Sequence, residues 1–425
     1  MISEGSLKWV EVHIAGDKRM ITPAIVVIAY NRAEPLGRLL RSIENAYYPP
    51  GIAPELVISI DKSDSDSVTD LADAFVFTHG SKRVIKRSER MGLRNHVLSC
   101  GDLTEEYGSI IVLEDDLFAA PGFYQYACKA LTFAENDDRI GTVSLYDHLF
   151  NVHKREGFCA MDDGYDNYYL QLASSWGQAY TRKQWQGFRK WYDADPDRKL
   201  DSPLIPANVR GWSERSWLKY YIAYLIETGR YSLYPRMSLT TNFGDVGTHA
   251  CKSDSDLQVP LSGFTEGRDY IFSAPDQSGA VYDAFFEPIG KMVSGKICLG
   301  RLDPGGEGDK AEPLLVDLYG YRAKDELIGA LPAGGDDKGA RYVLTSQLLP
   351  CKRIRSYARQ MRPAEANVVY DIEGNDLHLY DTRISDMPPA REPEAVRYLY
   401  EYRAISAARM IKILMYRIKE KLSGK

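Results

Sequence analysis

Residues 109–117 read SIIVLEDDL, a continuous apolar run that ends in three acids. The run Ser109–Leu113 predicts a strand, because uninterrupted apolar and β-branched residues are typical of strands covered on both faces. Glu114, Asp115 and Asp116 stand at its carboxyl end. Three neighbouring carboxylates repel one another unless a cation or hydrogen-bond donors neutralise them. The stretch therefore predicts either a cation-binding turn or a solvated acidic loop.

Two similar apolar runs precede this one. Ala24–Tyr30 (AIVVIAY) is followed by Asn31, and Leu56–Ile60 (LVISI) is followed by Asp61. Strands that alternate with helices predict right-handed crossovers and a mainly parallel sheet, in which ligands bind beyond the carboxyl ends of the strands. We therefore expect Asn31, Asp61 and the acidic triplet to lie together.

The segments between these runs have helical spacing. A first helix is predicted after Asn31, a second from near Gly92 toward Tyr107, and a third after the acidic triplet. Their apolar positions are Leu36, Leu39, Leu40 and Ile43 in the first, and Phe123, Tyr126, Ala127, Ala130, Leu131 and Ala134 in the third.

The pattern loosens after about residue 265. Gly/Pro-rich stretches separate short strand-like runs at Leu314–Leu318, Tyr342–Thr345, Asn367–Tyr370 and Leu377–Tyr380. The sequence therefore predicts an α/β protein with a large domain over residues 1–265, a smaller α/β module over 266–397 and a terminal helix over 398–425.

The terminal segment is amphipathic and basic. Ile411, Leu414, Met415 and Ile418 recur at helical spacing, and residues 403–425 hold seven Lys or Arg against Glu420, whereas the whole chain carries −6. Such a helix either lies on an anionic membrane surface or packs on the protein's own body.

Composition excludes several classes of protein. The net charge of −6 argues against nucleic acid as a partner, and the six cysteines form no CxxC pair typical of a zinc ribbon. Neither a signal peptide nor a run of 18 apolar residues is found, which predicts a cytoplasmic protein.

The motif IIVLEDDL resembles the metal-binding motif of the GT-A glycosyltransferases, in particular the inverting N-acetylglucosaminyltransferase I type and its bacterial relatives. IVVIAYNRAEPLGRLLRSI, LVISID, LASSWGQAYTRKQW and YPRMSLTTNFGDVGTH resemble further segments in the family's order. The resemblance covers residues 22–252 and implies a Rossmann-like GT-A fold.

The resemblance implies roles at the strand ends. Asp116 would be the direct ligand of Mn²⁺ or Mg²⁺, a hard cation that suits carboxylate and phosphate oxygens. Glu114 and Asp115 would face the donor sugar and the ribose, Asp61 would meet the uracil or ribose, and Asn31 with Arg32 would lie beside the base and its phosphates. The metal and cationic side chains would neutralise the charge on the departing nucleoside diphosphate.

Three further side chains are candidates with an ordinary alternative. Arg90 and Arg94 are expected to contact phosphate oxygens or to be solvated surface residues. His249, in GDVGTHA, is expected to bind the metal or the diphosphate, or to be a solvated loop histidine.

An inverting transfer needs a carboxylate base that deprotonates the acceptor hydroxyl. The family has an acid directly after a Trp, but counting back from Tyr234-Pro235 gives Trp217, followed by Leu218 and Lys219. Glu214 is the nearest acid and the first candidate. Asp245, in NFGDVG, is the second.

The predicted function is transfer of a sugar from a nucleoside-diphosphate sugar, a UDP-sugar in the first instance, to a glycan or lipid-linked acceptor. Leu218-Lys219 leaves open a degenerate glycosyltransferase fold that binds nucleotide sugars as a scaffold. A nucleotidyltransferase ranks lower, because AYNRAEPLG lacks a Gly-rich phosphate loop.

Overall fold

The structure is a computed structural model of the protein. It describes residues 20–245, 257–264, 266–293, 296–299, 312–324, 327 and 340–385, with positions 408, 411, 412, 414, 415 and 418.

A nine-stranded sheet organises the chain up to residue 282. The strands of this region are β1 (Ala24–Ala29), β2 (Glu55–Ile60), β3 (Ser81–Lys86), β4 (Ser109–Glu114), β5 (Leu117–Ala119), β6 (Ile140–Ser144), β7 (Phe150–Asn151), β8 (Glu156–Gly157), β9 (Asn167–Leu170), β10 (Gln178–Thr181), β11 (Tyr231–Pro235), β12 (Thr240–Asn242) and β13 (Val281–Tyr282). The sheet order is β13-β9-β11-β6-β10-β4-β1-β2-β3, and β12 with β5 and β7 with β8 form separate pairs. Five of its eight strand pairs are parallel and three are antiparallel, which confirms the mainly parallel α/β sheet.

Helices cover both faces of this sheet. They are α1 (Ala33–Glu44), α2 (Ser67–Ala74), α3 (Leu93–Gly101), α4 (Thr104–Tyr107), α5 (Phe123–Ala134), α6 (Arg182–Asp193), α7 (Ala207–Arg210) and α8 (Leu218–Glu227). The helix predicted from Gly92 toward Tyr107 is in fact two helices, α3 and α4. Thr181 and Gln184 form a capping box that fixes the start of α6.

A second sheet of six strands follows. Its strands are β14 (Gly290–Val293), β15 (Lys296–Leu299), β16 (Glu312–Asp317), β17 (Tyr342–Thr345), β18 (Cys351–Tyr357) and β19 (Leu377–Ser385), and a short helix, α9 (Ala366–Val369), precedes β19. The sheet order is β15-β14-β16-β17-β19-β18.

One strand prediction in this region is wrong. The run Asn367–Tyr370 is not a strand, because α9 occupies it. The Asn367 amide donates to the carbonyls of Met361 and Ala364 and accepts from the Met361 N–H, which folds the chain back on itself. A short apolar run fits a strand and a buried helical turn equally well, and here the local hydrogen bonds decide.

The core explains why the strands are apolar on both sides. Val26 and Ile28 of β1 belong to one buried cluster, and Ile25 and Val27 belong to the other. The first cluster also contains apolar side chains of β16, β17 and β19, so the two sheets share buried contacts.

In the described part of the chain, no helix has the length and apolarity needed to cross a bilayer. The described positions between 408 and 418 are helical and exposed, and the remainder of the predicted helix over 398–425 lies outside the described residues. The domain limits 1–265, 266–397 and 398–425 stay predictions.

Candidate active site

Three parallel strands place the predicted site residues at one edge of the central sheet. β1 pairs in parallel with both β4 and β2, with Ile28 opposite Glu114 and Ala29 opposite Ile60. The chain therefore leaves all three strands at the same carboxyl edge. Asn31 and Arg32, Asp61, and the acidic triplet follow these strand ends directly, and in parallel sheets this edge is where ligands bind.

Arg32 holds two of the three acids together. Its Nη2 donates to Asp115, and its Nη1 donates to Oδ2 of Asp116 at 3.2 Å. Asp115 is buried, whereas about a quarter of the Asp116 side chain is exposed, 26%. Two carboxylates from one turn thus converge on a single positive group, which a strictly extended strand does not allow.

Charge is crowded at this turn. Burial, together with the carboxylates of Asp116 and Asp115, raises the pKa of Glu114 to about 8 against the opposing effect of Arg32. Burial also raises the pKa of Asp115 to about 6, although the Arg32 guanidinium lowers it. In this buried turn a single guanidinium does not offset burial and the repulsion between the carboxylates. Additional positive charge would therefore favour the ionised form of these acids.

The donor set fits a divalent cation with oxygen ligands. Asp115 and Asp116 already share one cationic group, and carboxylate oxygens are what Mn²⁺ and Mg²⁺ prefer. Within the described ranges, no group of three or more His, Cys, Asp or Glu is assembled for a metal. His249 lies outside the described residues.

Asp61 anchors the start of α3. Its Oδ1 accepts from the N–H groups of Lys62 at 2.9 Å and Met91 at 2.8 Å, and its Oδ2 accepts from Gly92 at 3.0 Å. The buried carboxylate thus supplies the cap that α3 lacks locally, since the Gly92 N-cap has no side chain. Asp61 lies at the predicted edge, and its contact with a nucleotide stays a prediction.

The two candidate arginines differ in their surroundings. The Arg90 guanidinium lies 5.1 Å from the ring centre of Tyr30, next to the exposed Asn31. Arg94, in the first turn of α3, donates to the Tyr220 hydroxyl at 3.4 Å and so faces α8. Arg90 is thus placed beside the β1 end, and Arg94 lies on the side where α8 begins.

Glu214 is tied to α8. It accepts from Lys219 Nζ and from the Tyr220 hydroxyl, both at 2.6 Å, and these hydrogen bonds lower its pKa. Lys219 is buried and also donates to the Trp212 carbonyl at 3.1 Å. Through Tyr220 and Arg94 the carboxylate is connected to the edge where α3 starts.

Asp245 lies on the opposite side, next to the acidic turn. It pairs with Arg38 of α1, whose guanidinium lies 3.6 Å from the ring centre of Phe243. The Phe243 N–H donates to the Asp116 carbonyl at 3.0 Å. Asp245 is therefore connected to Asp116 through Arg38 and Phe243, although its carboxylate is paired with Arg38.

Sequence reasoning missed Asp147. Strand β6 is antiparallel to β10, which is antiparallel to β4, so β6 runs parallel to β4 and ends at the same edge. Asp147 follows this end, is buried, and accepts from the Tyr168 hydroxyl at 3.1 Å. Burial raises its pKa to about 7. The stretch Ile140–Ser144 (IGTVS), three residues before the acid, has only two large apolar residues and so gives a weaker strand signal than β1, β2 and β4.

The acidic turn at the end of a mainly parallel sheet defines a GT-A fold. Residues 24–175 match the family model described as Glycosyl transferase family 2, and we call this stretch the family 2 segment. The match includes Arg32, Asp61 and the acidic triplet. The closer resemblance to the N-acetylglucosaminyltransferase I type stays a prediction.

Solved structures show distant similarity. The mannosyltransferase PcManGT from Pyrobaculum calidifontis, in complex with GDP-Man and Mn²⁺, is 15% identical over 52% of this chain and 57% of its own, with a TM-score of 0.33. GalNAc-T7 with UDP, GalNAc and Mn²⁺ is 14% identical over 52% of this chain and 43% of its own, with a TM-score of 0.36. S. aureus TarS 1-349 in complex with UDP-GlcNAc is 12% identical over 53% of this chain and 60% of its own, with a TM-score of 0.35. The chain thus spans less than two thirds of each of these structures. No curated protein matches it in sequence.

Proposed function

We propose that the protein is a metal-dependent glycosyltransferase. It moves a sugar from a nucleoside-diphosphate sugar, in the first instance a UDP-sugar, to a glycan or lipid-linked acceptor. The observation that carries the proposal is the convergence of Asp115 and Asp116 on Arg32 at the carboxyl edge of β1 and β4, inside the family 2 segment.

The donor side of the proposal rests on the three strand ends. Asp116, with Asp115 beside it, is the proposed holder of Mn²⁺ or Mg²⁺, and His249 is a further candidate ligand. The cation supplies positive charge to the diphosphate that leaves. Glu114 and Asp115 are proposed to face the sugar and ribose, Asp61 the base or ribose, and Asn31, Arg32, Arg90 and Arg94 the base and phosphates.

Arg32 has two possible partners in this scheme. In the structure Arg32 binds Asp115 and Asp116. With a cation held by these two acids, its guanidinium could instead bind phosphate oxygens in a fork and would help to neutralise the leaving group.

For the acceptor side, we propose inversion with Glu214 as the base and Asp245 as the second candidate. Hydrogen bonds from Lys219 and Tyr220 lower the pKa of Glu214, which favours its ionised form. Each of its oxygens accepts one of these hydrogen bonds and keeps a second lone pair. An acceptor hydroxyl can therefore bind beside them and pass its proton to the carboxylate.

The test is release of nucleoside diphosphate from UDP-, GDP- and dTDP-sugars, with and without Mn²⁺. We expect metal-dependent release from one donor, reduced at least about 100-fold in Asp116→Ala, because a charge that stabilises the leaving group is lost. The exposed Asp64 provides the matched control as Asp64→Ala, which should keep full activity. A loss in Glu214→Gln would support the base. Absence of nucleotide-sugar binding would refute the proposal.

A second candidate is a nucleotide-sugar-binding scaffold without turnover. Leu218-Lys219 favours it, because this pair stands where the resembling family has its acid and because the buried Lys219 neutralises the nearest carboxylate, Glu214. The scaffold predicts metal-dependent donor binding, with no release when glycan and lipid-linked acceptors are added.

We also propose a cytoplasmic location at the inner face of a membrane. The exposed side chains of Ile411, Leu414, Met415 and Ile418 recur at helical spacing, within a segment that carries seven Lys or Arg. Such a surface suits anionic lipid. Co-sedimentation with vesicles that contain phosphatidylserine should be lost in Leu414→Glu and with purely zwitterionic vesicles. Equal binding in all cases would contradict the proposal.

A further inference from the structure

The second sheet carries an open cleft at the end where β17 and β18 finish and β19 begins. Its volume is about 590 Å³, and it is lined by Ser346, Leu348, Arg359, Gln360, Asn375, Asp376 and His378. This volume is in the range of small-molecule sites, about 300–1,000 Å³. We propose that the cleft binds a neutral saccharide, at a site separate from the acidic turn.

The lining decides the class of ligand. Six of the seven side chains are polar, and the charges are one guanidinium, Arg359, and one carboxylate, Asp376. A phosphate would need an excess of positive charge, a cation would need several carboxylates, and a lipid chain would need an apolar lining. Amide, carboxylate and imidazole groups donate and accept in pairs, which matches the neighbouring hydroxyls of a sugar ring.

The cleft is held in shape by contacts that a ligand does not have to create. Arg359 Nη2 donates to Glu156 of β8 at 2.6 Å, and the Arg359 N–H donates to Oδ2 of Asp376 at 3.2 Å. The Nδ1 of His378 shares a hydrogen bond with Ser356 Oγ at 3.0 Å. A pre-organised wall lowers the entropy cost of binding.

One polar group of this wall, the imidazole of His378, has capacity left for a ligand. Burial and the charge of Arg353 lower the pKa of His378 to about 4, so its ring is neutral at physiological pH. With Nδ1 occupied by Ser356, the Nε2 atom can donate to or accept from a hydroxyl.

The cleft is attached to the catalytic sheet region. Besides the pair of Arg359 with Glu156, Arg362 donates to the Gly157 carbonyl at 3.2 Å. For a glycan long enough to reach both sites, binding here would raise its effective concentration at the chain's own donor site. That consequence rests on the proposed glycosyltransferase function, whereas binding of the sugar itself does not.

The test is saturation-transfer NMR on the full chain. The probes are glucose, galactose, mannose, rhamnose, N-acetylglucosamine and N-acetylgalactosamine at millimolar concentration, without nucleotide. We expect at least one sugar to bind, and its affinity to fall about tenfold in Asn375→Ala and Gln360→Ala, as expected when a hydrogen bond is removed. Both side chains are exposed, so their truncation leaves the fold intact.

Two controls separate this site from the donor site. Lys352→Ala changes an exposed residue of β18 outside the cleft and should keep full binding, and so should Asp116→Ala at the acidic turn. The proposal is overturned if none of the six sugars binds, if both cleft variants bind like the unaltered chain, or if inorganic phosphate displaces the sugar. Failure of diphosphate release would leave these readings unchanged.

Discussion

At the scale of single residues, Arg32 is the side chain on which the acidic turn depends. It bridges Asp115 and Asp116, so a divalent cation must compete with it for the same oxygens. We predict that Arg32→Gln tightens the binding of Mn²⁺ alone about fivefold, because a partly exposed ion pair contributes about 1 kcal/mol or less. Calorimetric titration of the nucleotide-free protein measures this.

The matched control is Arg38→Gln. Arg38 lies in α1, shortly after Arg32, and is also in an ion pair, but its partner is Asp245. Mn²⁺ affinity should be unchanged in this variant. Unchanged affinity in Arg32→Gln as well would mean that Asp115 and Asp116 do not hold the cation.

The raised pKa of Asp147 predicts how the free energy of unfolding depends on pH. Burial raises its pKa from the ordinary 3.8 to about 7, so between these values the folded protein keeps a proton that the unfolded chain has lost. The free energy of unfolding therefore falls as pH rises from about 4 to about 7, and it stays low above that range. Asp147→Asn should remove on the order of 4 kcal/mol of this decline.

Urea unfolding at several pH values across this range tests the prediction. Asp64→Asn, at an exposed position, is the control and should keep the full pH dependence. An Asp147→Asn protein that declines as steeply as the unaltered chain would show that other buried acids carry the effect.

At the scale of secondary-structure elements, the start of α3 depends on a carboxylate from another strand. Asp61 accepts from the Met91 and Gly92 N–H groups, which would otherwise be unsatisfied. Asp61→Ala should lower the free energy of unfolding by about 1–3 kcal/mol, the cost of unpaired buried donors, and Asp61→Asn by less. Denaturant titration gives both values.

Helix α2 provides the comparison. Its N-cap residue, Asp66, makes no capping hydrogen bond through its side chain. Asp66→Ala should therefore change stability by less than about 0.5 kcal/mol. If Asp61→Ala were equally mild, the cap would not be needed for stability, and the remaining role of Asp61 would be its proposed contact with the nucleotide.

The individual strands and helices also show which features of the fold a sequence pattern can predict. The apolar runs of β1, β2 and β4 predict strands that end at Asn31, Asp61 and the acidic triplet, because burial on both faces leaves a continuous signal. The run at Asn367–Tyr370 misleads, because four residues are too few to show whether the apolar side chains recur with the period of a strand or of a helix. The pairing of Arg32 with Asp115 and Asp116 joins residues more than 80 positions apart, a separation at which local pattern says nothing.

At the scale of the whole molecule, the two sheets meet at a buried junction. Glu287 is fully buried and accepts from the N–H groups of Leu318 and Tyr319, at 2.7 and 2.9 Å, just after β16. Arg322 pairs with Asp283, just after β13, and its guanidinium lies 3.9 Å from the ring centre of Phe285. Since one apolar cluster also runs through both sheets, we expect them to unfold together.

Arg322→Ala tests this cooperativity. It leaves the partly buried Asp283 without its buried cationic partner, a change that costs about 3 kcal/mol. Scanning calorimetry should show one transition, shifted to lower temperature as a whole. Arg355→Ala breaks the exposed pair with Asp371 on the second sheet and should shift it little. An early, separate transition in Arg322→Ala would instead show that the second sheet is an independent unit. In that case a sugar bound in its cleft would not be held at a fixed position relative to the donor site.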